Sequence, residues 1–166
     1  MKIYVASSWR NEMQPVVVQA LRDAGHEVYD FRNPAPDNHG FRWLEIDPDW
    51  KQWTPEQFRQ ALGHPVAVAG FKTDFEALAT ADKCVLVMPC GRSAHLEAGF
   101  AIGAGKPTAI LLADGEPELM YKMAHLCLTL DEIVQWADEP TCHYVCAAGR
   151  NVALTNDCAH TAINND

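Results

Sequence analysis

The chain has 166 residues, of which 48% are hydrophobic and 21% are charged, a composition typical of one globular domain rather than of a disordered segment. Its 22 acidic residues outnumber its 13 basic residues, which gives a formal net charge of -9. Because such a surface repels phosphate polymers and anionic lipid, we expect neither a nucleic acid nor a membrane as a partner. A small anionic ligand stays possible, since one arginine or one helix N-terminus can hold it locally.

The N-terminal residues favour a cytoplasmic location. Met1 and Lys2 lead directly into a strand-like run, without the apolar segment and cleavage site of a signal peptide. No apolar stretch approaches the ~20 residues that span a bilayer. We therefore expect reduced thiols, and we expect Cys84 and Cys127, which lie in apolar runs, to be buried.

The first 31 residues predict a strand, a helix and a second strand. Residues 2–6 are a short run of β-branched and aromatic residues, typical of a buried strand. Apolar residues at helical spacing predict a helix from Asn11 to about Ala24, and Gly25 is expected to end it in a left-handed conformation. Residues 26–31 predict the next strand.

Residues 32–65 interrupt this alternation and predict an ordered insertion. The segment holds five prolines and Trp43, Trp50 and Trp53, and it is too long for a plain connection. A short helix is expected near 55–62, with Thr54 as its N-cap and Pro55 at its first position.

Strands and helices alternate again from residue 73. We predict, in order, a helix at 73–82, a strand at 83–89, a helix at 93–105, a strand at 106–114, a short helix at 117–125, and a last strand and helix within 126–137. Because the strands are unbroken apolar runs between helices, the fold class is predicted to be α/β, with a doubly wound parallel sheet. We expect one Rossmann-like or flavodoxin-like domain over residues 1–137 and a tail over residues 138–166.

Two loops of the predicted sheet carry polar residues suited to a phosphate or a ribose. Residues 7–10 follow the first strand, and residues 89–93 precede the helix at 93–105. In an open parallel sheet both loops lie at the carboxyl edge, where ligands bind and backbone N–H groups are free. The G-x-G-x-x-G and phosphate-loop motifs are absent, which disfavours dinucleotide redox chemistry and nucleoside triphosphate hydrolysis, and we expect no cofactor.

Glu97 is the strongest catalytic candidate. It lies four residues after Ser93, so both side chains share one helix face directed toward the carboxyl edge of the sheet. The helix is otherwise small and apolar, and we expect its glycines to let it approach the sheet closely and leave the carboxylate poorly hydrated. The alternative is a first-turn glutamate that interacts with the helix dipole.

Other polar residues near the predicted site have weaker assignments. Asp74 lies at a predicted helix start, where capping is the alternative to catalysis, whereas Asp82 is expected to be structural. Two carboxylates suit cleavage at an anomeric carbon, because one attacks or stabilises that carbon and the other protonates the departing group. His95 is either an acid or base or a polar helix residue, and the tryptophans either stack on a base or anchor the insertion.

The C-terminal segment resembles a metal cluster in composition only. Its candidate ligands are Cys142, His143, Cys146, Cys158 and His160. They lack the paired C-x₂-C spacing of common zinc modules, so we expect no metal.

Three segments resemble the nucleoside 2-deoxyribosyltransferase-like family, which includes deoxynucleoside 5′-monophosphate N-glycosidases. They are KIYVASSWR, TDFEALATADKCVLVMP and GRSAHLEAGFAIGAGKPTAILL, and together they span residues 2–112 apart from the insertion. The most specific part is the glutamate that is followed by a small residue and glycine, on a helix that ends in Gly-Lys-Pro and a strand.

The resemblance implies a role for each matching residue. Glu97 would be the nucleophile that forms a covalent glycosyl intermediate, Asp74 would help to protonate the leaving base, and Tyr4 would position Glu97. The residues that would bind substrate, including a 5′-phosphate, lie in the two polar loops: Ser8, Trp9, Arg10, Gly91 and Ser93.

The resemblance also implies an activity, which is cleavage of an N-glycosidic bond in a nucleoside or a nucleoside 5′-monophosphate, with transfer to water or to another base. The alternatives are a transferase that exchanges free bases and a non-catalytic nucleotide-sensing module. A homo-oligomer with shared active sites is expected, although residues 120–123, where a neighbouring subunit would contribute, differ from the family pattern.

Overall fold

A computed structural model of the protein describes residues 1–112 and 118–140, together with the backbone of two short strands at 144–145 and 151–152. The main sheet has five strands: β1 (Lys2–Ala6), β2 (Glu27–Asp30), β3 (Lys83–Val87), β4 (Thr108–Leu111) and β5 (His125–Cys127). The α-helices are α1 (Met13–Asp23), α2 (Pro55–Ala61), α3 (Pro65–Thr80), α4 (Arg92–Gly103) and α5 (Leu130–Asp138). Within the predicted tail, β6 (Tyr144–Val145) pairs antiparallel with β7 (Asn151–Val152).

The five strands are all parallel and hydrogen-bonded in the order β2-β1-β3-β4-β5. This order confirms the predicted doubly wound α/β fold and, of the two predicted variants, matches the flavodoxin-like one. None of the helices in the described residues has the length and apolar character needed to cross a membrane.

Each face of the sheet has its own buried core. One face packs against α1 and α5 and includes Val17, Leu21 and Trp136. The other packs against α3 and α4 and includes Tyr4, Leu78 and Ala98. Because residues alternate along each strand, Tyr4 lies on the α3 and α4 side, while its neighbours Ile3 and Val5 lie on the other. Cys84 and Cys127 are buried, as predicted.

The largest departure from prediction is the start of α3. This helix begins at Pro65 and not at residue 73, so it follows the insertion directly and Asp74 lies deep within the helix. Pro65 fits the first helical position, where no N–H bond is lost, and the ring of His64 accepts a hydrogen bond from the Val66 N–H. The predicted helix at 117–125 is a 3₁₀ turn over Leu119–Met123, and residues 113–117 lie outside the described part of the chain.

The insertion is ordered around an aromatic cluster. Trp43 packs edge-on against Phe41, Trp53 and Phe58 at centroid distances of 4.7, 5.7 and 5.4 Å. Helix α2 has the predicted start, since Thr54 accepts a hydrogen bond from the Gln57 N–H. Trp43 and Trp53 therefore anchor the insertion, which is the second of the two roles predicted for the tryptophans.

Two glycines let the insertion meet the rest of the domain. Gly70 of α3 lies directly under Phe41, where an added Cβ would come within 2.7 Å of the Phe41 Cβ. Gly40 has a φ of +71°, and an added Cβ there would clash with the backbone carbonyl of Phe31 and touch Trp9. Left-handed geometry and close approach thus both require glycine at position 40.

We predict that Gly40→Ala destabilises the protein by about 2–4 kcal/mol, because the variant combines backbone strain with a clash that a main-chain atom cannot relieve. The measurement is urea unfolding, with the midpoint falling at an unchanged slope. The control is Gly103→Ala in α4, where an added Cβ meets open space. That variant should stay within about 1 kcal/mol of the wild type, and an equal loss in both variants would contradict the role of Gly40.

Candidate active site

The site lies at the switch point of the sheet. The chain leaves β1 toward β2 on one side and returns to β3 on the other, so the carboxyl ends of β1 and β3 border the crevice in which doubly wound folds bind ligands. The loops after these strands are joined: the Ser7 hydroxyl donates to the Val87 carbonyl at 2.9 Å, and the buried Asn11 amide donates to the carbonyls of Val87 and Pro89 at 3.1 Å. The two polar loops predicted from the sequence are therefore held side by side.

Two stacked tyrosines form the floor of the site. Tyr4 of β1 and Tyr29 of β2 are register partners, and their rings stack at 5.3 Å with an interplanar angle of 13°. Tyr4 is buried, and the Tyr29 hydroxyl donates a 2.7 Å hydrogen bond to the Asp74 carboxylate. Burial, together with the nearby acidic groups, raises the pKa of both phenols, which stay protonated and available as donors.

Glu97 and Asp74 face this floor from two different helices. Burial raises the pKa of Glu97 to about 7, the negative charge of Asp74 adds to the rise, and a hydrogen bond with the Tyr4 side chain opposes it. Burial also raises the pKa of Asp74, against the hydrogen bond from Tyr29. The structure therefore brings Glu97, Asp74 and Tyr4 together, and the charge of Asp74 disfavours ionisation of Glu97.

The purely structural alternatives, helix capping for Asp74 and interaction with the helix dipole for Glu97, are both excluded. Asp74 lies in the middle of α3, where the residue cannot act as an N-cap. Glu97 is the sixth residue of α4, whose first turn contains no acidic residue. Neither carboxylate is therefore explained by a helix terminus.

The reason expected for the burial of Glu97 is wrong. Alanines, not glycines, form the contact of α4 with the sheet, and Ala94, Ala98 and Ala101 are buried there. An added Cβ at Gly99 meets open space, and Leu96 is 77% exposed. Helix α4 therefore presents an apolar face to its surroundings, and Glu97 lies at the boundary between that face and the site.

The residues predicted to bind a phosphate lie at the carboxyl edge of the sheet. The Ser8 hydroxyl accepts a hydrogen bond from the Arg10 N–H at 3.2 Å, and the Arg10 side chain is exposed. Gly91 and Ser93 are exposed where α4 begins. Trp9 has a structural contact, since the Arg42 guanidinium lies 4.5 Å from its ring centroid.

Two residues at the site were not singled out from the sequence. Tyr29 holds Asp74, and its part follows only from the register that places it beside Tyr4. Arg32 donates to the carbonyls of Ser8 and Asn11 at 2.8 Å and so fixes the loop after β1. In the sequence, the only indication of the role of Tyr29 is that a tyrosine occupies the position of the second predicted strand that pairs with Tyr4.

His95 links α4 to the turn over Leu119–Met123. Its ring nitrogens lie 2.8 Å from the Tyr121 hydroxyl and 3.0 Å from the Gly91 carbonyl. Cys90 lies 3.4 Å from the same ring, but burial and the charge of Glu97 raise the pKa of its thiol to about 11. A protonated thiol is a poor nucleophile, so Cys90 and His95 do not form a catalytic dyad at neutral pH.

A cleft of about 240 Å³ opens on the insertion side of Asp74. Its walls come from residues 34–45 of the insertion and from residues 66–74 of α3. Within the described residues, no group of three or more histidine, cysteine or acidic side chains is placed to hold a metal ion. The five candidate zinc ligands of the tail, Cys142 to His160, lie outside the residues whose side chains are described.

The fold is shared with a known enzyme. A 2-deoxyribosyltransferase from the psychrotolerant bacterium Bacillus psychrosaccharolyticus has a TM-score of 0.53 and 24% sequence identity, covering 81% of this chain and 90% of that chain. This similarity confirms the fold that the sequence resemblance implied. No protein-family model matches the chain, and no curated protein matches it in sequence.

Two further solved structures are more distant. The CMP N-glycosidase BcmB of Clostridium botulinum has a TM-score of 0.44 and 16% identity, covering 83% of this chain and 98% of that one. A conserved protein from Enterococcus faecalis V583 has a TM-score of 0.43 and 15% identity, covering 82% and 87%. At these TM-scores neither likeness supports a conclusion.

We predict that Glu97→Gln stabilises the protein at high pH. A carboxyl group whose pKa rises on folding stabilises the protein fully below its unfolded-state pKa, here 4.5, and this stabilisation is lost as the pH rises through about 7. The loss amounts to at most about 3 kcal/mol. Thermal melts should therefore show similar stabilities at pH 5 and a more stable variant at pH 8.

The control for this experiment is Glu76→Gln, which changes an exposed carboxylate of α3 that pairs loosely with Lys72 at 3.7 Å. Its stability relative to the wild type should hardly change between pH 5 and pH 8. Parallel pH curves for Glu97→Gln and the wild type would show that Glu97 is well hydrated.

Proposed function

We propose that the protein cleaves the N-glycosidic bond of a nucleoside or a nucleoside 5′-monophosphate, with Glu97 as the nucleophile. The observation that carries this proposal is the pairing of Glu97 with a second carboxyl group, Asp74, at the switch point of the sheet. Two half-buried acids at one site favour a state with a single proton, and the reaction uses the form in which that proton lies on Asp74 and Glu97 is ionised.

The reaction requires one carboxyl group to be ionised and the other to be protonated. The ionised Glu97 attacks C1′ of the sugar as the C1′–N bond breaks, and an ester forms between the carboxylate and the sugar. The electron pair of the broken bond goes to the base, which takes the proton of Asp74. Asp74, now ionised, takes a proton from water or from an acceptor base, which attacks C1′ from the face opposite Glu97 and releases the Glu97 carboxylate, giving net retention of configuration.

The hydroxyl groups of the floor support these roles. Tyr4 interacts with the Glu97 carboxylate, while Tyr29 holds Asp74 at 2.7 Å. Their stacking at 5.3 Å fixes the two phenols relative to each other, so the two carboxyl groups are positioned by one rigid unit. Tyr4 and Tyr29 are positioning residues in this scheme.

A 5′-monophosphate is the favoured form of the substrate. Ser8, Arg10, Gly91 and Ser93 line the joined loops at the carboxyl edge, and Gly91 and Ser93 lie at the start of α4, a twelve-residue helix. An arginine, two hydroxyls and a helix N-terminus suit a dianion even on a chain of net charge -9. Base exchange between nucleosides is the second candidate, because the neighbour with the same fold is a 2-deoxyribosyltransferase.

A homo-oligomer is also part of the proposal. Exposed apolar side chains cover the outer face of α3 and α4: Val68, Phe71, Phe75, Leu96 and Phe100. The rings of Phe71, Phe75 and Phe100 pack on one another at 5.0–5.4 Å, so they form one patch. The patch adjoins both carboxyl groups in sequence, and a second copy of the chain seated on it would border the site.

We predict that Glu97→Ala lowers turnover roughly a thousandfold or more, because the variant has no group to form the ester. The measurement is chromatography of liberated base across nucleosides and 5′-monophosphates, with Glu76→Gln as the control. Free sugar would mark a hydrolase, whereas a new nucleoside in the presence of an acceptor base would mark a transferase. A near-normal rate in Glu97→Ala would disprove the assignment.

We predict that Phe71→Glu weakens self-association about a hundredfold or more, since Phe71 is the most exposed ring of the aromatic patch, at 67%. Sedimentation velocity across a concentration series measures the assembly. Val16→Glu, an exposed apolar position of α1 on the opposite face of the sheet, is the control and should leave the mass unchanged. A wild-type chain that is monomeric at every concentration would exclude the oligomer.

A further inference from the structure

We propose that the cleft between residues 34–45 and α3 is the subsite for the departing base, and that it selects bases with an exocyclic amino group. This inference rests on the proposed N-glycosidic function and names the substrate class that the site would take. It concerns the insertion, for which the sequence resemblance offers no counterpart.

The position of Asp74 places the base in this cleft. Asp74 lines the cleft and accepts a 2.7 Å hydrogen bond from Tyr29, whose ring stacks on Tyr4, so its carboxyl group joins the floor of the site to the insertion. In an N-glycoside the base and the attacking group lie on opposite sides of C1′. With the sugar carbon at Glu97, the base therefore extends past Asp74 and into the cleft.

The shape of the cleft suits a planar ring. Phe41 forms one wall, and it can lie flat against α3 only because position 70 is glycine. Val66 and Ala69 continue the wall as short apolar side chains of α3. Trp43 supports Phe41 from behind at 4.7 Å. A volume of about 240 Å³ is enough for a nucleobase.

The polar groups of the cleft decide which base fits. Glu45 is exposed, and its carboxylate is oriented by a 3.1 Å hydrogen bond from the Arg42 N–H. An ionised carboxylate only accepts hydrogen bonds, so it attracts an amino group and repels a carbonyl oxygen. The Asn38 amide oxygen is engaged by the Gly40 N–H at 3.0 Å, which directs the amide NH₂ of Asn38 to serve as the donor.

A carboxylate acceptor and an amide donor that line the same cleft match the edge of an amino-substituted base. In cytosine and adenine an exocyclic NH₂ adjoins a ring nitrogen acceptor, and in guanine a carboxylate can accept from both N1–H and the 2-amino group. Uracil, thymine and hypoxanthine carry no amino group and place a carbonyl oxygen near the carboxylate. The cleft should therefore discriminate against them.

The test measures kcat/KM of the full-length protein for matched pairs of 5′-monophosphates, cytidine against uridine and adenosine against inosine, in the ribose and 2′-deoxyribose series. We expect the wild type to favour the amino member of a pair by about tenfold or more, the value of a hydrogen bond to a charged group. Glu45→Gln and Asn38→Ala should each reduce that ratio toward one. Glu56→Gln, which alters an insertion carboxylate paired with Arg59, should leave it unchanged.

The outcomes separate this inference from the function on which it depends. Release of base from any substrate supports the N-glycosidic function, whereas failure of every substrate to release base overturns both proposals. An active enzyme without preference within a pair, or one whose preference survives Glu45→Gln and Asn38→Ala, overturns the base subsite alone. Thermal melts of the variants establish that a changed ratio comes from folded protein.

Discussion

The site depends on one electrostatic constraint, which is that Asp74 and Glu97 cannot both ionise at low cost. Each carboxyl group is half-buried, and desolvation together with the charge of Asp74 raises the pKa of Glu97 to about 7. The surrounding structure compensates only in part, through a hydrogen bond to each group from a tyrosine of the sheet. A fold that needed only stability would fill this space with apolar side chains. The retained pair of acids is therefore the strongest sign of chemistry in the molecule.

The sheet and the insertion contribute different parts of the site. Strands β1 and β2 supply the stacked tyrosines, and α3 and α4 supply the carboxyl groups. These elements belong to the common doubly wound framework, whose strand order creates the crevice. The insertion adds the cleft beyond Asp74, and it is held in place by its own aromatic cluster. Bond cleavage and the choice of base would thus be governed by separate stretches of the chain.

The sequence predicted what depends on local patterns. Apolar runs identified the strands of the main sheet, and glycines marked the ends of helices at Gly25 and Gly105, both of which have positive φ. The start of α3 was missed because Pro65 and Gly70 are typical of loops, although one suits a first helical turn and the other accommodates Phe41. The part played by Tyr29 depends on strand register, and the cleft depends on tertiary packing. Neither is encoded in spacing along the chain.

Lys83 is unusual because its charged side chain is buried, with only 2% of the residue exposed. Its ammonium group donates to the carbonyls of Trp136, Ala137 and Glu139 at 2.7–3.0 Å, and so caps the end of α5. A lysine engaged in this way is shielded from amine-selective reagents for as long as α5 stays docked. The rate at which Lys83 becomes labelled would therefore report how often this helix detaches from the sheet, independently of events at the opposite edge.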